Sequence, residues 1–127
     1  MSKTIDFSTQ VFCIVTLMNK IREKHAVAMD LAEAALIAKL RGDSEQASQL
    51  IQQAFDNEQA AAALIAYQLD AEPTRSILHR SAATLAIRCR EFKAAECLIA
   101  TALSGNPPEE IASELKDLLI QIKLAPK

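Results

Sequence analysis

Adding 48 to six positions in the first half of this chain returns the same residue. Ala34, Ala35 and Ala38 map onto Ala82, Ala83 and Ala86, while Ala47, Ile51 and Ala54 map onto Ala95, Ile99 and Ala102. In each copy these residues recur at helical steps on both sides of a short polar turn, Gly42-Asp43 in the first and Arg90-Glu91 in the second. Few folds accept that pattern. Small side chains at three- and four-residue spacing let helix backbones approach closely, and a period of some tens of residues marks stacked supersecondary units. The expected class is therefore all-α, with helices stacked closely on one another.

Punctuation along the chain supports this. Two glycines and four prolines interrupt 127 residues, half of them hydrophobic, which implies one folded domain over 1–127. Residues 1–7 read as a lead-in, with Ser8 or Thr9 capping a helix that carries on to about Arg41. The charged stretch Arg22–His25 leaves open whether that helix is continuous or broken. Gly42 ends it, and Asp43 caps the next, with Gln46 as capping-box partner. The second helix is expected from 44 to about 70, or broken near Asp56-Asn57. Pro73 stops it, and Thr74 caps a helix to Arg88 or Arg90. Another follows over about 92–104, closed by Gly105. Asn106, Pro107 and Glu109 open a last amphipathic helix over about 107–124, with Ile111, Leu115, Leu118, Leu119 and Ile122 as its apolar stripe. The aromatics are Phe7, Phe12, Phe55, Tyr67 and Phe92 only, so the core must come from Ala, Leu and Ile.

The segment "SILHRSAATLAIRCREFKAAECLIATALSGNPPE", 76–109, resembles a tetratricopeptide (TPR) unit. Ala82, Ala83, Ala86, Phe92, Ala95, Ile99, Ala102 and Pro107 stand where that family's pattern wants small, aromatic, bulky and proline residues. It departs at His79, at Ala86, where an aromatic is common, and at Arg90, which replaces a turn glycine. Residues 28–59 fit the same frame through Leu31, Ala34, Ala35, Ala38, Gly42, Ala47, Ile51 and Ala54, with Ser44 and Gln59 departing from it. The resemblance implies a TPR-like stack of antiparallel hairpins closed by a C-terminal capping helix. It also implies a groove lined by the first helix of each hairpin. Ile77, Arg80, Thr84, Ile87 and Arg88 would line it in the second copy, and Met29, Ala32, Leu36, Lys39 and Leu40 in the first.

Charge gives that groove a candidate ligand. The chain is −2 overall, but residues 1–72 carry −4 and residues 73–127 carry +2. Arg75, Arg80, Arg88, Arg90 and Lys93 stand against Glu91 alone between 75 and 93. Arg80, Thr84 and Arg88 share a helix face by their four-residue spacing, and two guanidiniums there suit a carboxylate. The expectation is a non-enzymatic protein-interaction module or adaptor that binds an acidic peptide segment. The competing reading of those arginines is a solvated basic face, or pairing with Asp30, Glu33 or Asp70.

The alternative class is a small helical enzyme or ligand-binding protein with its site between helices or subunits. No phosphate loop or nucleophile elbow favours it. His79 is expected to be a satisfied buried histidine, and His25 has no identifiable partner. Cys13, Cys89 and Cys97 form neither a disulfide framework nor a ligand set, so no metal or cofactor is expected. The near-neutral charge argues against a nucleic-acid partner. No signal pattern and no long apolar run is present, so no membrane span is expected and a cytoplasmic location is the default. Val11, Val15 and Met18 lie in an apolar segment wide enough to suggest self-association as a homodimer.

Overall fold

The two hairpin turns repeat each other at offset 48, hydrogen bond for hydrogen bond. In the first, the Gly42 amide donates to the Lys39 carbonyl (3.0 Å) and the Asp43 amide to the Ala38 carbonyl (2.9 Å). In the second, Arg90 donates to Ile87 (3.0 Å) and Glu91 to Ala86 (2.8 Å). Each pair is a Schellman closure, which needs a left-handed residue just past the helix end. Gly42 supplies it at φ 84° and Arg90 at φ 60°.

The structure is a computed structural model that describes residues 6–126. It is all-helical, with no strand among the described residues. The helices are α1 (Phe7–Leu40), α2 (Ser44–Ile65), α3 (Thr74–Arg88), α4 (Phe92–Leu103) and α5 (Glu109–Leu124). Helix α1 packs on α2 and α3 on α4; α2 joins the hairpins through α3, and α5 closes over α3 and α4. The repeated alanines sit at these contacts: Ala35, Ala38 and Ala54 are buried, as are their counterparts Ala83, Ala86 and Ala102. Ala95 and Ile99 are fully enclosed, whereas Ala47 and Ile51 are only half-buried. On α5, Ile111, Leu115, Leu118 and Ile122 are buried as expected, each contributing roughly 1.5–3 kcal/mol by leaving water.

Several boundaries differ from expectation; Asp6 replaces the expected cap with a hydrogen-bonding one, whereas Pro73 and Pro108 hold cap positions without a side-chain hydrogen bond. Most of the lead-in, 1–5, lies outside the described residues. Asp6, not Ser8 or Thr9, caps α1, and its carboxylate accepts from the Thr9 amide at 2.8 Å. Helix α1 runs unbroken through Arg22–His25 for 34 residues. Asp43 does cap α2, accepting from the Gln46 amide at 3.1 Å. Helix α2 passes Asp56-Asn57 without a break but stops at Ile65. Thr74 is the first residue of α3 rather than its cap, and Pro73 holds the cap position. The Asn106–Glu109 capping box does not form; Pro108 holds that position and α5 starts at Glu109. Ser104, not Gly105, is the C-cap of α4. Gly105 instead leaves space for Arg75, since a methyl group there would collide with its guanidinium.

Candidate binding cleft

The ten residues expected to line the groove do not share one groove. Leu36, Lys39 and Arg88 converge on an open cleft of about 390 Å³ at the turn end of the hairpins, between α1, α2 and the last turn of α3. Its floor is Ala35, Ala47 and Ile51, and Ser44 and Ser48 stand beside it. The floor is low because the repeat places alanines there. Lys39 and Arg88 each lie in the last turn of their helix, where the helix dipole favours a positive charge. Neither takes part in an ion pair among the described residues.

Arg80 and Thr84 point elsewhere. They line a second hollow with Glu114, Asp117, Leu118 and Gln121. Arg80 is ion-paired with Glu114 of α5, not with Asp30, Glu33 or Asp70, and Thr84 donates to the Arg80 carbonyl at 2.9 Å. An acidic ligand would meet two carboxylates there. Helix α5 packs over the part of α3 that carries Arg80 and Thr84, which separates them from Arg88. Ile77 turns partly inward and packs against the core. Of the rest of the implied lining, Met29 and Leu40 are exposed on α1, and Ala32 and Ile87 pack on the core, none of them in the cleft.

The basic stretch 75–93 is also dispersed by folding. Arg75 is buried and closes the ends of two helices: Nε donates to the Ala66 carbonyl (2.7 Å) past α2, and Nη2 to the Thr101 carbonyl (2.9 Å) in the last turn of α4. Its Nη1 reaches the Ala102 carbonyl at 3.4 Å and Glu72 at 3.7 Å. Arg90 donates to the Pro126 carbonyl (2.6 Å) and lies over the Phe92 ring. Among the described residues, Arg88 and Lys93 are the cations of that stretch that remain exposed without such partners.

The histidines and thiols are held by structure. His79 is buried, and its Nδ1 donates to the Arg75 carbonyl at 2.7 Å; burial holds its pKa below the usual histidine value. His25 has a partner that sequence reasoning missed, the fully buried carboxylate of Glu58, with 2.9 Å from Nδ1 to each oxygen. Cys89 donates to the Ile51 carbonyl at 3.6 Å, and burial pushes its thiol pKa up. All three cysteines are free, and no cluster of three metal-ligating side chains occurs among the described residues. Among the described residues, no helix is long and apolar enough to cross a membrane. Comparison with known proteins found no family model, no curated protein and no solved structure that matches this chain.

Proposed function

We propose that this chain is a non-enzymatic interaction module, with TPR-like hairpins, that docks a short acidic segment of another protein in the cleft between α1, α2 and α3. One observation carries the reading: two cations without an ion-pair partner among the described residues, Lys39 and Arg88, flank an apolar floor of Ala35, Ala47 and Ile51. A guanidinium grips a carboxylate with two parallel hydrogen bonds, and an ammonium adds a less directional charge. An apolar side chain of the ligand would rest on the alanines, and the Ser44 and Ser48 hydroxyls offer partners for its backbone. The repeated turns support the TPR-like frame. Three free thiols support a cytoplasmic setting.

The test is fluorescence anisotropy with labelled peptides that interleave Asp or Glu with Leu. Wild type binds, and binding weakens as salt is raised. Lys39→Glu with Arg88→Glu lowers affinity about tenfold or more, since charge-assisted hydrogen bonds contribute about 1.5–3 kcal/mol each. Arg80→Glu leaves it unchanged. Equal loss in the Arg80 variant would move the site to the second hollow, and no binding by any such peptide would refute the reading.

A further inference from the structure

Helix α1 is longer than the helix it packs on. The turn at 41–43 makes α1 and α2 antiparallel, and His25 opposite Glu58 sets their pairing level. Carried on in equal steps, that pairing brings Ile65, the last residue of α2, level with Met18. Residues 7–16 therefore project beyond α2, by roughly 15 Å at 1.5 Å per residue. Every residue from Asp6 to Thr16 is exposed, Phe7, Val11, Phe12, Ile14 and Val15 included. No charged side chain occurs from Phe7 to Asn19.

Three features say what covers this overhang. Phe7, Val11, Ile14 and Met18 continue, in alternating steps of four and three, the stripe of Ile21, His25 and Ala28 that seats α1 on α2. The seam thus runs on past the end of its partner helix. It also carries no charge, so it offers nothing to an acidic or basic partner, and it is complementary to itself. About a two-fold axis between Phe12 and Cys13, Phe7 of one copy lies level with Met18 of the other, and Val11 level with Ile14. Finally, Tyr67 (93 % exposed) and Leu69 (58 % exposed) lie in the connection just past α2, at the base of the overhang, where the tip of the second copy's helix would arrive. With each aromatic worth roughly 150–250 Å², these side chains and the overhang offer on the order of 800 Å², close to the amount each partner buries in a stable interface.

We propose that two copies of this chain form a homodimer by antiparallel packing of their α1 overhangs, each tip seated beside the other's Tyr67 and Leu69. The acidic-peptide cleft is at the opposite end of the hairpin and remains open in the dimer.

Sedimentation equilibrium on the full chain tests this. Wild type gives twice the 13.9 kDa chain mass. Val11→Glu with Ile14→Glu returns it to one chain mass with helix content by circular dichroism retained, because both side chains are exposed in the single chain. Thr16→Glu, on the opposite face, keeps the dimer, and so does Lys39→Glu with Arg88→Glu. A single-chain mass for wild type, or a dimer that survives Val11→Glu with Ile14→Glu, overturns the proposal. So does a single chain that pellets with phosphatidylcholine vesicles, which would assign the overhang to a lipid surface.

Discussion

A guanidinium has five N–H donors and no acceptor, and Arg75 directs its donors at carbonyls that two helices leave open. The charge is buried, yet it lies against the ends of α2 and α4, where partial negative charge collects. Gly105 leaves room for it. Arg75→Met keeps the length and removes the donors, so urea unfolding should show a loss of about 3 kcal/mol or more; Arg75→Lys should recover part of that. Next to it, His79 predicts a pH dependence. Its folded pKa lies below the ordinary value of 6.5 because burial disfavours the charged ring. The unfolded chain then binds the proton more readily. Stability should fall as pH drops through about 6.5 and level off below the folded pKa. His79→Asn keeps a donor for the Arg75 carbonyl and removes the titration, so its urea midpoint should slope less over the same range. None of this was legible at Arg75, which reads in sequence as one more cation of a basic run. At His79 the repeat frame did predict an inward side chain.

At the scale of helices and turns, the sequence was most informative where backbone chemistry is local. Gly42-Asp43 and Arg90-Glu91 were both placed correctly, because a helix end followed by a capping residue has few solutions. Arg90 is the instructive one, a non-glycine held at φ 60° where its counterpart is Gly42. Arg90→Gly and Arg90→Ala lose the same contacts to Pro126 and Phe92, so their difference isolates the backbone. The glycine variant should be more stable than the alanine variant by about 1 kcal/mol in thermal unfolding; equal stability would mean the turn relaxes instead. Caps were less legible, since Asp6, Pro73 and Pro108 took positions that neighbouring Ser, Thr or Asn residues also suit. The His25–Glu58 pair had a readable signal. Glu58 falls on the buried face of α2, and 25 and 58 sum to the same total as Leu40 and Asp43, which flank the turn. Pairing levels in a hairpin follow from that sum.

For the whole molecule, the helical periodicity implied an all-α chain, and the described residues form five helices and no strand; the offset of 48 recurs in the two hairpin turns. It did not reveal how the last helix would divide the expected groove, because the crossing of α5 over α3 depends on packing between distant segments. Arg80 and Thr84 went with α5, while Leu36, Lys39 and Arg88 stayed together. The second hairpin is enclosed between α2 and α5; the first is open at the cleft and along the overhang of α1. The two proposed contacts rest on those openings, one on charge and one on apolar contact. The most direct test of the peptide-docking account is amide chemical-shift mapping by NMR, with an acidic Leu-containing peptide titrated into the full chain. Shifts concentrated at Leu36, Lys39, Ser44–Ile51 and Arg88 are the predicted result. Shifts centred on Arg80 and Glu114, or none at saturating peptide, would contradict it.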